Sequence, residues 1–292
     1  MANINKSNIS IVIPAKNEAL AIKSVVEHVF KVMPDAEVIV ANDGSTDDTA
    51  KIAENAGAKV ISHQYSMGNG AAIKTGARAA TGEIIIFMDS DGQHSPEDIP
   101  LLLAEINKGY DLVVGSRSSS SQASFARLIA NTFYNKFSSW MVGHKIDDLT
   151  SGFRAVVKSK FIRFLYLLPN GFSYPTTSTM AFFRAGYSVS YVPITVRKRI
   201  GKSHIKIWKD GIRFLLIIFK VGTLYSPLKL FTPIAVSFFS LGLGYYTYTY
   251  ITTERFTNMS ALFLISSLLF FVLGLISEQI SMLQYMQHEN DE

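Results

Sequence analysis

Two aspartates spaced i, i+2 close the stretch Glu-Ile-Ile-Ile-Phe-Met-Asp-Ser-Asp-Gly-Gln-His, residues 83–94. Ile84 to Met88 is an unbroken apolar run bounded by Gly82 and Gly92, the pattern of a short strand buried on both faces. Ligands bind at the C-terminal mouth of a parallel sheet. Asp89 and Asp91 therefore stand where two carboxylates can face one hard divalent cation. Mg²⁺ takes few protein carboxylates and keeps positions for substrate phosphates. The chemistry implied is a metal ion with a phosphorylated ligand. The competing reading is a solvated Asp-rich turn, because Ser95-Pro96-Glu97-Asp98 has the composition of a helix start.

The segments around this stretch alternate. Strands are expected at 9–14, 37–41, 59–62, 84–88, 112–115 and 189–196. Helices are expected at 19–33, from a Thr46 cap to about 56, at 68–80, 96–108, 125–141, 158–168 and 175–185. Such alternation argues for an α/β domain with a mostly parallel, Rossmann-like sheet, whose strand order the sequence does not give. Residues 147–154 read as a polar loop, and 116–124 as a serine-rich one.

The 292-residue chain has no cysteine and a formal charge of +5, so no disulfide framework holds it and an anionic surface or substrate suits it. Residues 1–8 are polar and carry no signal-peptide pattern. After Ile212 the apolar residues concentrate. Residues 205–224 mix Lys206, Lys209, Arg213 and Lys220 with Phe214, Leu215 and Ile217, as an interfacial amphipathic helix does. Two long apolar segments follow, 228–252 and 261–286, each about 30 Å long as a helix and sufficient to cross a bilayer. A tyrosine belt, Tyr245, Tyr246, Tyr248 and Tyr250, closes the first. Lysines and arginines before the hairpin outnumber the single Arg255 in its connector, which places both flanks in the cytoplasm. The expected organisation is a catalytic domain over 1–204, an interfacial helix over 205–227, a two-helix transmembrane hairpin over 228–286, and a cytoplasmic tail over 287–292.

Six short motifs occur in order: Val12-Ile-Pro-Ala-Lys-Asn-Glu18, Asn42-Asp-Gly-Ser-Thr-Asp47, Gly68-Asn-Gly70, Asp89-Ser-Asp-Gly-Gln-His94, Gly115-Ser-Arg117 and Thr150-Ser-Gly-Phe-Arg154. Each is weak alone, but the ordered set resembles the family 2 glycosyltransferases, and within them the polyprenyl-phosphate sugar synthases of the dolichyl-phosphate mannose synthase type. The resemblance implies a GT-A fold and a nucleotide-sugar donor. It implies that Pro14, Lys16, Glu18, Asp43, Ser90 and Gln93 hold the donor, with Lys198, Arg199, Lys202 and His204 closing over its phosphates. The family's basic loop often ends Ser-Lys, and here it ends Ser203-His204. The metal, Mg²⁺ or Mn²⁺, would fall to Asp89, Asp91 and Gln93, and the acceptor phosphate to Arg117, Arg127 and Asn131.

The implied reaction is an inverting transfer of a hexose, from GDP-mannose or UDP-glucose, to undecaprenyl or dolichyl phosphate. Another UDP-linked sugar, or a membrane-anchored nucleotide-sugar-binding scaffold without turnover, is the alternative. A processive polysaccharide synthase is disfavoured, since neither Trp140 nor Trp208 sits in a Gln-x-x-Arg-Trp context. The expected partners are the donor, the lipid phosphate and the bilayer; a homo-oligomer is compatible, and no nucleic acid is expected. Asp147 and Asp148 are expected to serve the loop or to orient neighbours, because a phosphate acceptor needs no deprotonation.

Overall fold

The computed structural model describes residues 8–117, 125–171, 173–196, 219 and 222–287, with backbone alone for 125–131 and 284–287. The chain divides into two compact units, 1–205 and 206–292.

The first unit is built on a seven-stranded sheet of order β3-β2-β1-β4-β6-β5-β7. In chain order its elements are β1 (Ile9–Ala15), α1 (Ile22–Val32), β2 (Glu37–Asn42), α2 (Thr49–Asn55), β3 (Lys59–Ser62), α3 (Asn69–Ala79), β4 (Ile84–Phe87), α4 (Ile99–Asn107), β5 (Leu112–Arg117), α5 (Phe125–Val142), β6 (Arg154–Val157), α6 (Lys158–Ile162), α7 (Tyr174–Arg184) and β7 (Val189–Ile194). Strands β3, β2, β1 and β4 run parallel, as do β5 and β7. Ile11, Ile13, Val38, Val40, Ile84 and Ile86 turn one face toward the apolar stripe of α1, whose Ile22, Val25, Val26 and Val29 are buried. On the other side α3 lies close to β1: a Cβ on Gly76 would come within 2.3 Å of Val12. The small residues of 68–80 serve that approach.

Strand β6 is the departure from the sequence reading. It pairs antiparallel with both β4 and β5, with Phe87 opposite Arg154 and Val114 opposite Arg154. Residues 147–154 lead into it, so the polar loop ends in a central strand. Three other expectations shift, the first being the helix expected over 158–168, of which only α6 (Lys158–Ile162) is α-helical. Thr46 does not cap α2, which begins at Thr49. Asp48 holds the N-cap position without a side-chain cap bond, and the preceding Asp47 accepts from the Thr49 amide through Oδ1 at 3.1 Å. The stretch 96–108 splits into a 3₁₀ turn at Pro96–Asp98 followed by α4.

The second unit contains α8 (Pro227–Thr253) and α9 (Asn258–Gln287). Both are long and apolar enough to cross a membrane. Few of their residues are buried, as lipid-facing helices require and a soluble core does not. They pack closely where small residues allow it, with Gly242 against Leu264 and Gly274 against Phe231. Glu278 is not adrift in the apolar segment. Its Oε2 accepts from the Leu228 amide at 3.2 Å, at the N-terminus of α8, where a helix favours negative charge. Most of the expected interfacial helix, 205–227, lies outside the described residues.

Candidate active site

The C-terminal ends of β1, β2, β4 and β5 open on one edge of the sheet. Because β6 runs the other way, its N-terminal approach, residues 148–153, arrives at that same edge. This brings Asp148, Thr150 and Gly152 to Asp89 and Arg117, which are remote in sequence.

Arg117 is held by a carboxylate. Its backbone amide and Nε donate to Asp148 Oδ2 at 3.2 and 2.7 Å, and Nη2 donates to Oδ1 at 2.9 Å and to Thr150 Oγ1 at 2.6 Å. Asp148 also accepts from the Thr150 amide at 3.1 Å. Burial pushes the Asp148 carboxyl up, but the bonds and charge of Arg117 outweigh it and hold the group below its usual range. Burial likewise lowers Arg117, and Asp148 raises it beyond that loss. With both oxygens occupied and the proton disfavoured, Asp148 is unsuited to act as a general base. Among the described residues Arg117 Nη1 makes no hydrogen bond, and the charge of Asp89 also favours the guanidinium cation.

Asp89 follows β4 and is partly exposed, whereas Ser90 and Asp91 are buried. The Asp89 carboxylate rests against the backbone of Gly152: a Cβ there would lie 2.9 Å from Oδ2 and 3.0 Å from Oδ1. His94 Nδ1 lies 3.7 Å from Asp89 Oδ2, and its ring stacks on Phe153 with centroids 5.2 Å apart. Asp91 Oδ1 accepts from the Gln93 amide at 3.1 Å in a turn that Gly92 completes at φ 73°. Among the described residues no cluster of three or more His, Cys, Asp and Glu side chains is shaped for a metal. Two hard carboxylates on one turn still fit Mg²⁺ or Mn²⁺, which fill remaining positions with water and phosphate oxygens.

Beneath this edge sits Arg154, wholly buried and, among the described residues, without a hydrogen-bonded carboxylate. Its Nε donates to Ser151 O at 3.2 Å, and Nη1 donates to Pro175 O at 3.0 Å and Ser178 Oγ at 2.7 Å. Burial lowers its affinity for the proton, while Tyr174, Tyr191, Asp148 and Asp89 work against that loss. The motif contained Arg154, but sequence reasoning gave it no role. Its buried cation faces an edge that carries several carboxylates.

The loops after β1, β2 and β3 meet around Asp43. Oδ1 accepts from His63 Nδ1 at 2.9 Å and the Met67 amide at 2.7 Å; Oδ2 accepts from Ser66 Oγ at 2.7 Å and the Gly68 amide at 2.9 Å. Four donors fill a carboxylate's acceptor sites. Asp43 thus organises the loop 63–68, and Lys16 joins the network through Ser66 at 2.8 Å. Asn17, in the left-handed region at φ 53°, accepts from the Thr46 amide at 2.8 Å and so ties the first loop to the second. Gly44 is required where the second loop lies against the loop 63–68, since a Cβ would fall 2.6 Å from the backbone of Tyr65 and Ser66. Pro14 is buried within β1, and the Glu18 amide donates to Thr49 Oγ1 at 2.9 Å. The amides of Gly70 and Ala71, at the start of α3, bond to Gly171 O and Asn170 O. Arg127 and Asn131 are placed on α5 by the backbone, and their side chains lie outside the described residues. So do Lys198, Arg199, Lys202 and His204.

Residues 10–165 match the glycosyl transferase family 2 model, and residues 226–283 match the GtrB C-terminal hairpin. The chain belongs to glycosyl transferase family 2. It is 28% identical over 213 residues to a dolichyl-phosphate hexose transferase of Haloferax volcanii, covering 72% of this chain and 92% of that one. A second Haloferax volcanii protein, glycosyltransferase AglJ, is 26% identical across 97% of both chains, hairpin region included. Among solved structures, glucosyl-3-phosphoglycerate synthase of Mycobacterium tuberculosis, in complex with Mn²⁺, UDP and phosphoglyceric acid, superposes with a TM-score of 0.59. The two are 25% identical, over 72% of this chain and 78% of that one. The sheet is therefore of the GT-A type, as the ordered motifs implied.

Proposed function

We propose that this glycosyltransferase moves a hexose from a nucleotide sugar, GDP-mannose or UDP-glucose, to a polyprenyl phosphate such as undecaprenyl or dolichyl phosphate, inverting the anomeric centre. Relatives named for dolichyl-phosphate hexose transfer and polyprenol monophosphomannose synthesis support the substrate class. The observation that carries the reading is the fixed Arg117. Its guanidinium is oriented by Asp148 at the same sheet edge as Asp89, and Nη1 makes no hydrogen bond among the described residues. Three of the five guanidinium hydrogens are spent on Asp148 and Thr150, which leaves the two on Nη1 for an anionic phosphate oxygen.

The acceptor phosphate is already anionic near neutral pH and attacks the anomeric carbon without a base. The engagement of both Asp148 oxygens agrees with that economy. Lys16, Glu18 and the loop shaped by Asp43 line the donor side, and Lys198, Arg199, Lys202 and His204 would counter its phosphates. Asp89, Asp91 and Gln93 would hold the divalent ion, which when bound supplies Lewis-acid neutralisation of the diphosphate leaving group. Inversion follows from direct attack, so an α-linked donor gives a β-linked lipid product. The catalytic unit lies on the cytoplasmic side, by the excess of cationic residues before the hairpin.

The test is a donor panel with the purified full chain and undecaprenyl or dolichyl phosphate, scoring label in the organic phase. Transfer from a GDP- or UDP-hexose is expected. Label that stays aqueous with every donor would overturn the reading. Arg127→Ala should reduce transfer roughly a hundredfold while calorimetric donor affinity stays close to that of the parent. Loss of donor binding instead would move Arg127 to the donor side.

A further inference from the structure

Two successive carbonyls of the approach to β6 are held by buried side chains. Ser151 O accepts from Arg154 Nε at 3.2 Å and from its Nη2 as well. Gly152 O accepts from the Tyr174 hydroxyl at 3.2 Å. Tyr174 is 1% exposed, and its ring meets Phe87 of β4 with centroids 6.2 Å apart. The Arg154 guanidinium carbon lies 5.7 Å from the centre of the same ring. The segment leading into α7 is itself anchored. Lys74 Nζ donates to Leu168 O at 3.1 Å, and the amides of Gly70 and Ala71 hold Gly171 O and Asn170 O. Residues 176–179 of α7 are all hydroxylic and all buried. Of these, Ser178 and Thr179 receive Arg154 Nη1 at 2.7 and 3.3 Å.

We propose that Tyr174 and Arg154 are positioning residues for the metal carboxylate: together they fix the Ser151–Gly152 peptide against which Asp89 rests. The inference rests on the reading that Asp89 and Asp91 hold a divalent ion. Among the described residues neither side chain hydrogen-bonds Asp89, so both act through the loop. A Cβ on Gly152 would lie 2.9 Å from Asp89 Oδ2 and 3.0 Å from Oδ1. The carboxylate therefore seats on backbone alone, and its place follows that of the peptide. Stability does not call for this arrangement. A guanidinium buried with no hydrogen-bonded carboxylate among the described residues is costly. The hydroxyls of Ser151 and Tyr191 are also buried, with no hydrogen-bond partner among the described residues. Tyr191 stands in one row with Arg154 across β6, β5 and β7, through Val114. Apolar side chains of similar volume would fill such a row at lower cost. What the polar groups add is direction, because a planar fork on one carbonyl and a hydroxyl on the next fix a peptide plane. The same loop carries Asp148 to Arg117.

Tyr174→Phe removes one hydroxyl and keeps the ring. Mn²⁺ binding to the full chain in detergent is read by water-proton relaxation, with saturating UDP and separately with GDP, against a protein-free blank. Tyr174→Phe is expected to weaken Mn²⁺ binding roughly fivefold, as the loss of one buried hydrogen bond does. Gly152→Ala, which displaces the carboxylate directly, should weaken it roughly tenfold. The double variant should be about as weak as Gly152→Ala alone, because a displaced carboxylate no longer depends on the peptide plane. Arg154→Lys keeps the charge without the fork and should also weaken Mn²⁺ roughly fivefold. Tyr134→Phe loses a bond of the same kind, from Tyr134 to Thr176 Oγ1 of α7 at 3.1 Å. It should lower the unfolding midpoint and leave the Mn²⁺ curve in place.

Parent-like Mn²⁺ binding in Tyr174→Phe or in Arg154→Lys would overturn the proposal, as would losses that multiply in the double variant. A shift of equal size in Tyr134→Phe would overturn it too, since it would mark a general softening of α7. The cycle of Tyr174 with Gly152 decides by itself, whether or not Arg154→Lys folds. A parent chain that binds no Mn²⁺ with either nucleotide would remove the placement of the ion and this inference together. Relaxation needs neither acceptor nor turnover. Failed transfer with a non-multiplying cycle would remove the lipid-glycosylation reading alone, and intact transfer with an unmoved Mn²⁺ curve in Tyr174→Phe would remove this one alone.

Discussion

Arg117 and Asp148 meet fork to fork, Nε on Oδ2 at 2.7 Å and Nη2 on Oδ1 at 2.9 Å. The pair cancels much of the net charge but fixes the direction of the guanidinium and leaves the two Nη1 hydrogens for a phosphate oxygen. Asp148→Asn keeps the volume and loses one acceptor. It should lower transfer roughly ten- to a hundredfold, raising KM for the polyprenyl phosphate while KM for the donor stays near its parent value. A merely structural Asp148 would instead leave both constants intact in whatever fraction remains folded.

Metal dependence is the second expectation. Asp89→Asn and Asp91→Asn each remove a hard anionic ligand from the turn after β4, and EDTA removes the ion. All three should abolish most transfer, and added Mg²⁺ or Mn²⁺ should restore only the parent protein. Full activity in excess EDTA would show that cationic side chains suffice.

Much of this site was legible because it sits in contiguous motifs. Asp89, Asp91 and Arg117 lie at strand ends that alternation and apolar runs locate well. Asp148 escaped a specific role because its partner is 31 residues away and only the antiparallel β6 joins them. That strand is four residues long and follows a polar loop, so no periodicity reveals it. Arg154 hid for the opposite reason. A buried cation satisfied by carbonyls and hydroxyls leaves no opposite charge in the sequence to pair it with. Asp43 was named from its motif for the donor, but the sequence could not show that the loop 63–68 folds back to occupy its carboxylate.

That occupancy yields the third expectation. The Met67 amide bonds one oxygen of Asp43 and the Gly68 amide the other, so asparagine in either orientation turns an NH₂ toward an amide. Asp43→Asn should cost about 2 kcal/mol locally and speed hydrogen exchange at residues 66–68 in the full chain. Unchanged exchange there would contradict the organising role.

Acid should act on the same groups. Burial raises the Asp43 carboxyl, but His63, Ser66 and the two amides together hold it below its ordinary value. Asp111 is likewise lowered against burial by Lys160 and Ser188, and Asp148 by Arg117. A depressed carboxyl contributes stability that is complete above its unfolded pKa of about 4 and is lost as pH falls through the folded value. Resistance to unfolding should therefore hold from neutrality to about pH 5 and decline below about pH 4. A decline that begins near pH 6 would point to histidines instead.

Gly152 offers the sharpest separation of fold from chemistry. Its missing side chain is where Asp89 rests, and a Cβ would come within 2.9 Å of the carboxylate. The obstructing group is the end of a short side chain at a partly exposed site, so in Gly152→Ala the carboxylate can swing away while β4 and β6 stay paired. The substitution should leave donor binding without metal and the unfolding midpoint near their parent values. It should raise the metal concentration needed for half-maximal transfer, roughly tenfold for about 1.4 kcal/mol of lost ligand placement. Titration of activity against Mn²⁺, set beside a thermal melt of the same preparation, decides the matter. An unshifted metal curve would mean that Asp89 does not depend on the Gly152 surface, and the placement of the ion at Asp89 would lose its structural support.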